Sequence, residues 1–167
     1  MSLSMHSASV PVISHMLGSM LPWLDKAQAH AEARKFDSAN YLGLRLAPDM
    51  LPFSKQIQIA CDMAKGCVAR LAGLEVPQWS DDESTLDELR ARIRRTQDYV
   101  SGFTAQQIDG SDTREIVLPM RTGERRLSGE DYLKGFVLPN VYFHATTAYA
   151  LLRQAGVELG KRDFLGA

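Results

Sequence analysis

The residues best placed for chemistry lie in Leu138-Pro139-Asn140-Val141-Tyr142-Phe143-His144, where an amide and an imidazole stand four positions apart, one helical turn. Projected at the helical repeat, Val141, His144, Ala148, Leu151, Leu152 and Ala155 share one face, with Asn140 one turn before His144. The imidazole is therefore expected to point inward. A buried imidazole needs partners for its ring nitrogens, which a carboxylate, an amide or a metal ion can supply. A second polar set, Gln58, Asp62 and Lys65, recurs at helical spacing further upstream. Two accounts of it are open: a surface Asp62–Lys65 ion pair, or groups that reach the same groove as His144.

These side chains need elements to hold them. A first helix is expected from about Ser7 or Ser9 to Lys35, with Val10, Ile13, Leu17, Met20, Leu21 and Leu24 as its apolar stripe. Pro11 suits its first turn, whereas Pro22 predicts a kink or local break near Gly18 to Pro22. His6, His15 and His30 read as surface or groove-edge side chains. The second helix spans about Leu51 to Leu71, with Pro52 in its first turn, and the third runs from a Thr85–Glu88 capping box to about Gly102. Arg90, Arg92, Arg94 and Arg95 read as its solvated face. Thr104 starts a further short turn to Ile108. Residues 114–120 and 125–127 read as a hairpin turning at Thr122-Gly123, followed by a helix start at Ser128 and a last long helix from about Pro139 to Gln154. Gly156 stops that helix, and Phe164 and Leu165 of the tail are expected to lie over the bundle.

The whole of residues 1–167 is of a size for one domain. The fold class expected is all-α: a four-helix bundle with a short β-hairpin before the last long helix. Lys plus Arg, 19, nearly balance Asp plus Glu, 20, which argues against general nucleic-acid binding. Charged residues interrupt every apolar stretch, so no membrane span is expected, and no secretory signal is read at the N-terminus. Cys61 and Cys67 lie six positions apart on one helix, where a disulfide is geometrically implausible, so reduced thiols and a cytoplasmic location are expected.

Four segments together resemble a known family: Ser9-Val10-Pro11-Val12, the helix from Gln56 to Gly66, Leu138 to His144, and the ending Gly160-Lys161-Arg162-Asp163-Phe164-Leu165-Gly166. They are similar to the uncharacterised bacterial family known as domain of unknown function nineteen ninety-three. The resemblance implies a DinB-like four-helix bundle, within a superfamily of metal-dependent enzymes that includes thiol transferases. It further implies a divalent metal held by one histidine of the second helix and a His-x-x-x-His pair on the last long helix. Here His144 falls at the second of that pair, Asn140 at the first, and the second helix offers Gln56 and Gln58 but no histidine. Imidazole and thiolate suit zinc or nickel far better than neutral amides, so no tightly bound divalent metal is expected. The weak candidate ligands are His144, Asn140 and Gln58, with Asp62 in an oxygen-rich variant.

Three readings stay open at this level. One is an enzyme of thiol-transferase or hydrolase type in which His144 acts with Asn140 and Asp62. Another is a bundle, expected to be homodimeric, that binds a small molecule or partner in a groove lined by Gln56, Lys65 and Tyr142, with Trp23, Trp79, Phe143 and Tyr149 as further candidate lining. The last is a buried His144–Asn140 cluster that fixes helix register.

Overall fold

A computed structural model describes residues 3–166. The first helix, α1, spans Met5–Arg34 and starts earlier than expected because Ser4 and Ser7 cap it reciprocally. It runs unbroken through Pro22, contrary to the expected break. Pro22 is exposed, so the turn in which it removes a backbone donor lies toward the surface, where a lost helical hydrogen bond costs less than in the core. Lys35 ends α1 in a left-handed conformation. A single 3₁₀ turn, Ser38–Tyr41, then leads toward α2, Phe53–Leu71, with Pro52 just before its first turn.

The expected capping box opens α3, Leu86–Ser101: Glu88 N–H donates to Thr85 Oγ1 and Thr85 N–H to Glu88 Oε2. After the short α4, Ala105–Ile108, comes a two-stranded antiparallel ribbon, β1 Glu115–Met120 and β2 Gly123–Ser128, in register from Glu115 opposite Ser128 to Met120 opposite Gly123. Ile116 and Leu118 turn inward onto the bundle, which gives this isolated ribbon the support it lacks in water.

Ser128 caps α5, Gly129–Tyr132, which passes through a π-helical turn, Leu133–Val137, into α6, Leu138–Gln154. Leu138 N–H reaches back five residues to the Leu133 carbonyl. The π turn falls where Pro139 offers no amide proton, and Asn140 Nδ2 donates to the Phe136 carbonyl at 2.7 Å. Gly156, at φ +95°, stops the helix as expected. A last short helix, α7, Lys161–Leu165, lies on α1: Trp23 Nε1 donates to the Asp163 carbonyl at 2.9 Å, and the Phe164 ring stacks on Trp23 while meeting Tyr149 edge-on.

Helices α1, α2, α3 and α6 form the bundle, with α2 packed on α3 and α6, and α1 on α3 and α6. Ile13, Leu17, Met20, Phe53, Ile57, Leu89, Ile93, Val141, Ala148 and Leu152 form part of its single core. Among the described residues no helix is long and apolar enough to cross a membrane.

Candidate functional site

His144 does face inward, and its partner comes from 88 positions earlier in the chain. Gln56, buried in the first turn of α2, places Oε1 2.7 Å from His144 Nδ1. The Gln56 amide has only one orientation here, because its Nε2 donates to the Leu51 carbonyl at 2.8 Å. The oxygen that meets the imidazole can only accept, so Nδ1 carries the ring proton and Nε2 is left with its lone pair. Among the described residues the buried side-chain atoms without a partner are Gln58 Oε1, Arg92 Nε and Ser111 Oγ. His144 Nε2 has no partner either and is not one of them, so it retains contact with solvent although the residue as a whole is only 8% exposed. Burial pushes the imidazole below its ordinary pKa, which favours the neutral ring. Phe143 stands edge-on to that ring, 5.2 Å between centroids, and is itself exposed, as are Tyr142 and Leu51.

Asn140 does not orient His144. Its side-chain amide is spent on the Phe136 carbonyl at the π turn. Gln58, Asp62 and Lys65 are also brought to a different place, the seam between α2 and α3. Gln58 Nε2 donates to Glu83 Oε2 at 2.7 Å, and Asp62 Oδ1 accepts from Lys65 Nζ at 2.9 Å and from Arg92 Nη2 at 3.0 Å. The expected Asp62–Lys65 ion pair is present, with its lysine end buried rather than at the surface, and none of the three bonds His144.

Arg92 is the centre of that seam and does not lie on the solvated face expected of the arginine run. It is 4% exposed and binds Asp62, Asp81 and Glu83 as well as the Ser80 carbonyl. The reason is visible in the spacing, since Arg92 lies three residues after Leu89 and four before Thr96, both buried. Through it the loop carrying Trp79 to Glu83 is tied down over α2 and α3, with Trp79 between Lys65 and Arg95 at cation–π distance. Trp23 and Tyr149 are core partners of Phe164 rather than groove lining. His15 is held at the surface by the Leu165 carbonyl, and His30 by the Tyr41 hydroxyl.

A family described as "Domain of unknown function (DUF1993)" matches residues 5–165. The chain belongs to the DUF1993 family. Among solved structures, the crystal structure of a DinB family member protein from Shewanella denitrificans, at 1.83 Å resolution, is 42% identical and covers 97% of this chain and 92% of its own. The two superpose with a TM-score of 0.91, so the DUF1993 chain has a DinB-like fold. No curated protein matches it.

The DinB resemblance implies a divalent metal, and the residues at this corner do not fit one. Gln56, not Gln58, is the second-helix residue that meets His144, and it does so as a neutral acceptor bound to a ring proton. Asn140 is turned to a backbone carbonyl. Among the described residues no three His, Cys, Asp or Glu side chains cluster in a way that could hold a metal ion. One imidazole and two amides give neither the donor softness nor the charge that zinc or nickel needs. Gln56 was legible in part: it occupies the first turn of a helix whose start, Leu51-Pro52, is marked in the sequence, but its pairing across 88 positions carries no local signal.

Proposed function

We propose that this DUF1993 chain is a small-ligand-binding bundle in which the corner used for a metal in related folds has become a metal-free polar site centred on His144. The observation that supports it is the 2.7 Å contact from Gln56 Oε1 to His144 Nδ1, with the amide fixed by Leu51. It holds the imidazole as one tautomer and leaves Nε2 as the site's acceptor. Enzymatic use of His144 with Asn140 and Asp62 receives no support, because both of those side chains are engaged elsewhere.

The reading also takes the protein as a homodimer in a bacterial cytoplasm. Cys61 and Cys67 are free and buried, and burial pushes both thiols up to about 12, which suits a reducing compartment. Leu46 and Leu74 are exposed apolar side chains available for pairing.

Elemental analysis tests the metal-free reading directly, on protein purified without added metal and then equilibrated with zinc, nickel or manganese. We expect far less than one metal per chain throughout. Stoichiometric metal that disappears in His144→Ala would overturn it. Sedimentation of the same sample should show twice the 18.5 kDa chain mass, and a monomer would remove the dimer.

A further inference from the structure

We propose that the His144 edge selects an uncharged ligand that presents a hydroxyl or N–H donor on an apolar body, and rejects a carboxylate of the same shape. This rests on the reading of His144 above and adds the chemical class of its ligand.

Nε2 is the one polar ring atom of His144 left without a partner among the described residues, and it is not one of the fully buried unpartnered atoms. A purely structural histidine in a bundle seam would be bonded at both nitrogens or sealed. Here Nδ1 is fixed through two successive hydrogen bonds, His144 to Gln56 and Gln56 to Leu51, which keeps the open nitrogen an acceptor only. The neighbouring surface is aromatic: Phe143, 56% exposed, stands at right angles to the imidazole, 5.2 Å between ring centroids. A single acceptor beside an exposed aromatic ring matches a ligand with one donor and an apolar remainder. A carboxylate would set its oxygens against the lone pair. The cation nearest to Gln56 in sequence, Lys55, cannot relieve that, since its ammonium is bound to Asp81 at 2.9 Å. Lone-pair repulsion and an acceptor left without a donor therefore act together against carboxylates.

The probes are phenol, indole and benzoate, added to millimolar concentration to protein labelled with ¹⁵N in its histidines. Long-range proton–nitrogen spectra read the ring nitrogens, and comparison with His144→Gln assigns them. We expect His144 Nε2 to start as an unprotonated nitrogen, to move progressively with phenol and indole, and to respond to benzoate at least about tenfold more weakly, the discrimination that one hydrogen bond can supply. Equal response to benzoate and phenol, or no response to any of the three, would overturn the ligand class. A protonated Nε2 before any probe is added would instead defeat the tautomer reading on which the class depends.

Discussion

Arg92→Met should lower stability by about 2–4 kcal/mol, a figure that follows from how unequal its three carboxylate partners are. The Asp62 and Asp81 side chains are 37% and 38% exposed, and each keeps another cation, Lys65 and Lys55. Their share is screened to about 0–1 kcal/mol apiece. Glu83 is only 11% exposed and retains only the neutral amide of Gln58 after the substitution. Losing a charge-assisted bond to an enclosed carboxylate costs about 1.5–3 kcal/mol, while the methionine stem preserves the apolar packing and removes the unpartnered Arg92 Nε. For a chain of this length the total corresponds to a fall in Tm of about 5–15 °C, read by thermal unfolding in far-UV circular dichroism. Adding Glu83→Gln to Arg92→Met should restore part of the loss, because the stranded charge is its main source. A fall of less than about 1 kcal/mol in Arg92→Met, or a double variant weaker than the single one, would refute the assignment of that cost to an enclosed charge.

Gly129→Ala should be severely destabilising, by about 3 kcal/mol or more, since a Cβ there would sit 1.9 Å from the Ser111 carbonyl oxygen, a backbone atom that cannot step aside; urea unfolding measures it, and a change below about 1 kcal/mol would contradict the packing. Stability should also fall in acid in two stages. Burial lowers the His144 pKa, so the unfolded chain binds more protons below the ordinary histidine value of about 6.5, and the stabilisation present above it is lost as pH falls toward the folded value. His144→Gln should abolish that stage in urea unfolding measured from about pH 5 to 7.5, and a variant with the wild-type slope would count against it. For Asp81, burial raises the carboxyl pKa, but the Lys55 hydrogen bond and the Arg92 and Lys55 charges outweigh it and hold the group below the carboxylate range. Its contribution is therefore complete above about pH 4 and lost below, as pH falls through the lowered value.

The architecture was legible because it rests on local signals. The Thr85–Glu88 box, the hairpin turn, which falls one residue before the expected Thr122-Gly123 at Arg121-Thr122, the Gly156 stop and the inward face of His144 each depend on residues within a few positions of one another. The site was half legible. The inward turn of His144 is marked by its helical spacing, but its partner Gln56 lies 88 positions away, and Asn140, one turn away, bonds the Phe136 carbonyl instead. Arg92 shows a different failure: its position on the Leu89–Ile93–Thr96 stripe was available, yet its charge suggested solvent. An arginine on a core stripe is better read as the centre of a carboxylate cluster, whose members here come from α2 and a loop.

The π turn at Leu133–Val137 has a consequence for how this helix can vary. Gly129, Leu133, Val137, Val141 and Ala145 are all buried at intervals of four, a spacing that over-rotates an α-helix by about 40° per step. The extra residue in the wide turn absorbs that drift and keeps all five on the core side. Loss of one residue there would restore an ordinary ladder and swing the segment that follows the hairpin by about 100° relative to His144. The run from Gly129 to Gln154 therefore behaves as two rotors on a common axle, one set by the hairpin and one by Gln56. Sequence comparisons that slide a gap through residues 133–137 will misplace one of them.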